Sequence, residues 1–256
     1  MKLKALVFDL DGTALRVGGF PSQPVIKAVF EAKKHVLVSV ATARRTANSK
    51  KILNVFDLVS PSIIMGGAAI IDSKTGEIIF QNVLDRKIIR QVADIAKEYP
   101  GEIFMGDGPI LDRKKDFEIS DCPIIYLRNP NTEIAEKIAD RLKDIHGISY
   151  VYTPSWIKGW IDINVTDSKA TKKHALEKLI GILGVKKEEV MVVGDSFNDF
   201  PLFEAGGFKV AMGNAEEALK AKADLIAPTV DEDGLAFVIN KFILGKNTWV
   251  KTKRSW

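Results

Sequence analysis

An α/β fold with a parallel sheet as its core and a smaller α+β unit inserted into it is predicted by three features of this 256-residue sequence. Short apolar segments alternate with helical ones toward both ends of the chain, the pattern of βαβ units. Two of those segments, residues 3–8 and 190–193, run directly into paired carboxylates. Between residues 82 and 164 the alternation gives way to two amphipathic helices, short strand-like pieces and charged loops.

The first strand delivers Asp9-Leu10-Asp11-Gly12-Thr13 at its carboxyl end, the edge where open α/β sheets bind ligands. In an extended chain Asp9 and Asp11 share a side and repel, unless a cation or a substrate with a leaving group needs both. Gly12 permits a sharp turn that brings amides near an anion, and Thr13 can cap the next segment or donate a hydroxyl. A surface turn is the plain alternative for Asp-Gly. A loop with Gly18, Gly19, Pro21 and Pro24 leads to a helix over 25–34 and a strand over 35–40. That strand runs into Ala41-Thr42-Ala43-Arg44, where the Thr42 hydroxyl and the amides of a following helix suit a phosphate oxygen.

Residues 46–56 read as a helix and 61–65 as a third strand of the parallel sheet, ending in Gly66-Gly67. Ile70-Ile71 and Ile78-Ile79-Phe80 flank a polar turn, a hairpin signal. In the inserted unit, 85–98 and 131–146 read as helices and 102–105, 148–152 and 160–165 as strands. The core resumes with a helix from Thr171 to Leu183, the strand 190–193, and short strands over 209–211 and 224–226.

Composition is that of an ordinary globular chain, 46% hydrophobic and 27% charged. The net charge of +4, from 37 basic and 33 acidic residues, is spread along the sequence and is no nucleic-acid footprint. The one dense basic run, 251–256, reads as a solvated tail. A single cysteine, Cys122, excludes an intramolecular disulfide and fits a reducing cytoplasm. No run approaches the roughly 18 to 20 apolar residues of a membrane span, so neither secretion nor insertion is expected.

Gly194-Asp195-Ser196-Phe197-Asn198-Asp199 brings a second pair of carboxylates to the sheet edge that holds Asp9 and Asp11. Taken alone, Asp195 and Asp199 could merely cap the next helix. Beside the first pair they imply a cation, and oxygen donors without a Cys or His cluster favour Mg²⁺ over Zn²⁺. Lys172 stands at the start of a helix, where the dipole does not favour a cation, which points to an anion facing it.

In these residues the chain resembles the haloacid dehalogenase superfamily of phosphohydrolases, in particular its Cof-type subclass with a large α/β cap. Residues 8–13 match the first motif, Thr42 with Arg44 the second, Lys172 the third, and Gly194-Asp195 through Asn198-Asp199 the fourth. Residues 210–215, Lys220, Ala223-Asp224 and Asp233-Gly234 resemble the subclass's closing segment. Ala43 replaces the usual Gly of the second motif, Lys173 the Gly after the motif lysine, and Gly66-Gly67-Ala68 the usual Asn-Gly-Ala. Lys169 is the alternative to Lys172.

The resemblance implies a Rossmann-like core over 1–81 and 165–250, a cap over 82–164, and a Mg²⁺-dependent phosphatase of small phosphorylated metabolites. A phosphotransferase of the phosphomannomutase type is the alternative. Asp9 would be the nucleophile and Asp11 the general acid and base. Asp9, Asp11 through its carbonyl, Asp195 and Asp199 would surround the metal. Leu10, Gly12, Thr42, Ala43, Lys172 and Asn198 would line the phosphate. Asp107, Asp112, Arg113, Trp156, Lys158 and Trp160 are the cap residues that could reach substrate. Binding to nucleic acid or membrane is not expected, and the protein would act as a monomer or homodimer in the cytoplasm.

Overall fold

The computed structural model describes residues 2–16, 19–115, 117–155 and 157–246; Gly18, Trp156 and the basic tail lie outside them. The chain opens with β1 (Ala5–Phe8), α1 (Gln23–Ala32), β2 (Leu37–Val40) and α2 (Thr46–Phe56). All four residues of β1 are buried, as a strand covered on both faces requires. Helix α1 starts where the Ser22 hydroxyl accepts from the Val25 amide at 3.3 Å. It buries Val25, Ala28, Val29 and Ala32, the stripe that helical spacing gives one face.

Next come β3 (Ser62–Ile64), β4 (Ala69–Ile71), β5 (Ile78–Gln81), α3 (Arg86–Lys97), β6 (Glu102–Met105), β7 (Leu111–Asp112), β8 (Ile124–Asn129), α4 (Thr132–Leu142), β9 (Ile148–Pro154) and β10 (Ile161–Asp167). The chain ends through α5 (Lys172–Leu183), β11 (Val190–Gly194), α6 (Phe200–Ala205), β12 (Phe208–Ala211), α7 (Glu217–Lys220), β13 (Leu225–Ile226) and α8 (Gly234–Phe242). Among the described residues no helix is long and apolar enough to cross a membrane.

The central sheet has the order β13-β12-β11-β1-β2 and is parallel throughout. Phe8 lies level with Val193 on one side and Val40 on the other, so the carboxyl ends of β11, β1 and β2 come out side by side. The third strand departs from expectation. β3 pairs antiparallel with β4 and touches β2 through one parallel bridge, Ala41 to Ile63. The Val40 amide donates to the Ser62 hydroxyl at 3.1 Å, taking a side-chain acceptor in place of a ladder carbonyl. The chain then reverses at Met65–Gly67 into β4, so β3 also pairs antiparallel with β4.

The second sheet, β7-β6-β8-β10-β9, is antiparallel. Its central strand β8 was not foreseen, because all six of its residues are buried and no alternation marks it. Strand β10 runs past residue 165 to Asp167, and α4 stops at Leu142 rather than 146. One face of this sheet, with Ile103, Ile125, Leu127, Ile163 and Val165, packs on α3 and α4. Phe104, Ile124 and Tyr126 instead join the apolar cluster of the central sheet, so the second sheet lies directly on the core.

Two short crossings join the units. Asn82 donates to Ala68 O on one side and Leu84 to Cys122 O on the other, leaving only Val83 between them. On the return, Ser168 donates to Gly147 O and Ala170 to Asp167 O before Thr171 caps α5.

Arg113, expected at the substrate, is fully buried within the second sheet. Its guanidinium donates to Glu102 O at 3.1 Å, Arg128 O at 2.8 Å and Asn129 Oδ1 at 2.8 Å, tying three strands together. Arg113→Met is expected to cost about 2–5 kcal/mol, since it leaves those acceptors desolvated and unpaired. Urea unfolding measures the loss, and the Michaelis constant should not move.

Candidate active site

Asp9 follows β1 directly, its amide donating to Val193 O at 3.0 Å, and it is buried at 4% exposure. Lys172, the first residue of α5, is buried with it. Its ammonium donates to Asp9 Oδ1 at 2.7 Å, Asp199 Oδ1 at 2.7 Å and Asn198 Oδ1 at 3.0 Å, using all three of its protons. Burial pulls the ammonium down, but the charges of Asp199 and Asp9 outweigh it and lift it above its ordinary value. That compensation explains a cation at a helix N-terminus. Gly67 makes the placement possible: at φ +111 its ideal Cβ would stand 2.2 Å from the Thr171 carbonyl carbon and 2.5 Å from the Lys172 amide nitrogen. Lys169 is exposed, so Lys172 is the lysine brought to Asp9.

Asp199 shapes the loop after β11. Its Oδ2 accepts from the amides of Asp195 at 3.0 Å and Ser196 at 3.1 Å. Asp195 in turn accepts from the Thr13 hydroxyl at 2.8 Å, so Thr13 anchors that carboxylate rather than capping a helix. Gly12, at φ +85, lies where an ideal Cβ would meet Asp195 Oδ2 at 2.1 Å. Its carbonyl accepts from Asn214 Nδ2 at 2.9 Å, and Asn214 Oδ1 accepts from the Val230 amide.

Ligand oxygens of Asp9, Asp195 and Asp199 all lie within 4.8 Å of one another. Three carboxylates against one ammonium leave a net negative charge in a largely buried place. Burial, with the charge of Asp199 next, pushes Asp195 up to about 7. Burial likewise raises Asp9 well above the usual range, with Lys172 opposing and Asp199 and Asp195 reinforcing the shift. An oxygen-only donor set with excess negative charge fits a hard divalent cation.

The carboxylate of Asp11 is not in that group. It is half exposed and accepts a bidentate pair from Arg44, Nε at 2.8 Å and Nη2 at 2.5 Å. The strand ends at Phe8, so the extended geometry that would align Asp9 with Asp11 is absent. Thr42 is buried, and its hydroxyl oxygen accepts from the Arg44 amide at 3.2 Å. Ala43 is half buried beside it. Leu10 is a core side chain whose carbonyl accepts from Ala14 and Leu15, closing the turn after β1.

Arg45, which sequence reasoning missed, carries the second sheet onto this site. Its guanidinium donates to Gly108 O at 2.7 Å and stands 5.3 Å from the Phe104 ring and 5.8 Å from the Tyr126 ring. Asp107 pairs with Arg45 at 3.5 Å and accepts from the Thr46 amide at 3.2 Å. It thereby caps α2, whose own N-cap residue offers no side-chain acceptor. The Arg44-Arg45 doublet was the available signal. Asp112 accepts from the Lys114 amide within a turn, Lys158 is exposed, and Trp160 is half buried in the 157–160 turn.

The model for haloacid dehalogenase-like hydrolases matches residues 6–115 and 108–239, so the chain belongs to that family. Its class is that of the phosphoric monoester hydrolases. It is similar to the 5-amino-6-(5-phospho-D-ribitylamino)uracil phosphatase YcsE of Bacillus subtilis, 30% identical over 261 residues that span 94% of this chain and 96% of that protein. It is also similar to the phosphoglycolate phosphatase of Methanothermobacter thermautotrophicus, 26% identical over 242 residues, 94% of this chain and 99% of that one. A haloacid dehalogenase-like hydrolase from Bacteroides thetaiotaomicron shares the fold, with a TM-score of 0.79 at 21% identity over 94% of this chain and 99% of that chain.

The raised Asp195 sets a pH dependence. With its folded value near 7 and its unfolded value near the ordinary 3.8, the folded state holds the extra proton between them. Metal-free protein should therefore lose stability as pH rises from about 4 to 7, by up to roughly 4 kcal/mol from this group. Asp195→Asn should flatten that slope in thermal unfolding curves, and a divalent cation should raise Tm more at pH 7 than at pH 5.

Proposed function

We propose that the protein is a Mg²⁺-dependent phosphatase that hydrolyses small phosphomonoesters through an aspartyl-phosphate on Asp9. The observation that carries this reading is the buried Asp9 carboxylate, held by Lys172 inside a group of three carboxylates that has no full charge compensation. Asp9, Asp195 and Asp199 would hold Mg²⁺. Bound there, the ion supplies the positive charge that offsets repulsion between a carboxylate nucleophile and a phosphate.

The Asp9 carboxylate attacks phosphorus in line, and the bond from phosphorus to the ester oxygen breaks. Asp11 gives its proton to the departing alkoxide and then takes one from the water that hydrolyses the aspartyl-phosphate. Protonation of Asp11 requires its pair with Arg44 to open, and a phosphate anion competes for that guanidinium. Since the Thr42 oxygen accepts from the Arg44 amide, its own hydrogen is available to a phosphate oxygen. Lys172 spends two protons on Asp9 and Asp199, so the half-buried Asn198 is the partner a phosphate oxygen would displace. The segment between Asn82 and Asp167 acts as the cap that excludes water. Relatives named as phosphatases support hydrolysis over intramolecular transfer.

Phosphate release from a panel of small phosphomonoesters tests the reading. Turnover should require Mg²⁺, vanish in EDTA, and fall at least about 10³-fold in Asp9→Asn. Lys172→Met should lose about 10²-fold in kcat or more. Mg²⁺-independent turnover, or an Asp9→Asn variant of near-wild-type activity, would refute the mechanism.

A further inference from the structure

The face of the second sheet turned to the core carries Phe104, Tyr126 and Asn164 in one row, because Phe104 and Asn164 flank Tyr126 in register. Arg45 stands over the first two rings, and its neighbour Arg44 holds Asp11. The row is thus linked to Asp11 through two consecutive residues, Arg44 and Arg45. Tyr126 is 7% exposed, and its buried hydroxyl has no hydrogen-bond partner among the described residues. The same holds for the buried hydroxyl of Thr46, the residue after Arg45, whose amide is already bonded to Asp107. Buried polar atoms are almost always paired, and an orphan costs more than a made bond contributes. Two orphan hydroxyls, one on a ring whose centre lies 5.8 Å from the Arg45 guanidinium and one on the residue that follows Arg45, mark places for ligand oxygens.

We propose that the hydroxyls of Tyr126 and Thr46, with the Arg45 guanidinium, form the subsite for the substrate's leaving alcohol and select short aliphatic phosphomonoesters bearing a hydroxyl or carboxylate oxygen. The proposal rests on the phosphatase reading and deepens it. Tyr126 is a neutral donor and acceptor, suited to either oxygen. The rings of Phe104 and Tyr126 meet edge to face and pack onto the core cluster, so the proposed subsite would take a short leaving group.

Glycerol 1-phosphate and propyl phosphate differ only in hydroxyls and serve as the probes. Affinities are measured by calorimetry in Mg²⁺, in Asp9→Asn and in Asp9→Asn with Tyr126→Phe or Thr46→Val, so that no turnover is needed. The preference for glycerol 1-phosphate should be about tenfold or more, and should fall to within threefold in the Tyr126→Phe protein and by a smaller factor in Thr46→Val. Because Tyr126→Phe removes an unpaired buried hydroxyl, its ligand-free Tm should be unchanged or higher, an outcome a structural tyrosine would not give. An unchanged preference in both variants, the result if solvent rather than substrate satisfies the hydroxyls, overturns the subsite; so does a lowered Tm or a failure of Tyr126→Phe to fold. Wild-type protein that releases no phosphate counts against the phosphatase reading, while the affinity ratio still decides the subsite.

Discussion

A lysine ammonium buried between two aspartates is the constraint around which the catalytic edge is organised. Removing the lysine leaves buried carboxylates uncompensated, a loss of about 3–5 kcal/mol in a desolvated setting. Much of the surrounding geometry keeps the trio in reach. Parallel register brings β1 and β11 out level, so Asp9 and the Asp195–Asp199 loop meet. Gly67 lets a loop press against the start of α5, and Asp199 folds its own loop by accepting two amides while its other oxygen faces the lysine. A single side chain thus shapes a loop and balances a charge.

The second organising contact lies one step outward. Helix α2 receives its terminal acceptor from Asp107, a residue of the other unit, and Arg45 in the same turn grips Gly108 O and two aromatic rings. Arg44 in that turn holds Asp11. Three consecutive residues, Arg44 to Thr46, therefore tie Asp11 of the first unit to Asp107 and Gly108 of the second. The face of the second sheet turned to the core is braced independently by Arg128, whose guanidinium pairs with Asp162 and Glu102 and lies 4.6 Å from the Phe104 ring.

The alternation of elements and the acidic strand ends were plain in the sequence because both are local: a strand of four apolar residues followed by Asp needs no distant partner to be recognised. The lysine was legible through its misfit with the helix dipole and through motif spacing. What stayed hidden depends on contacts far along the chain. Strand β8 has no polar face to give it a period of two, since both sides are covered. Arg113 reads like a solvated loop charge, and only the carbonyls of two neighbouring strands reveal it as a brace. Asp107 and Arg45 are each unremarkable alone and acquire meaning only as a pair across 62 positions. The third strand lies where it was expected and keeps one parallel bridge, but Ser62 substitutes a hydroxyl for a ladder acceptor, which sequence pattern does not report.

The two crossings between the units have a mechanical consequence. The outgoing crossing is pinned by backbone hydrogen bonds on both sides with Val83 alone between them, and the return is held by Ser168 on Gly147 O and Ala170 on Asp167 O just before Thr171. Two short tethers side by side suppress sliding and twisting and leave one soft coordinate, a swing about the line that joins them. The return tether feeds straight into Lys172, so the pivot of that swing lies next to the buried charge trio. Angular motion of the upper unit would thus act close to the buried Asp9–Lys172 pair, with almost no lever arm between them.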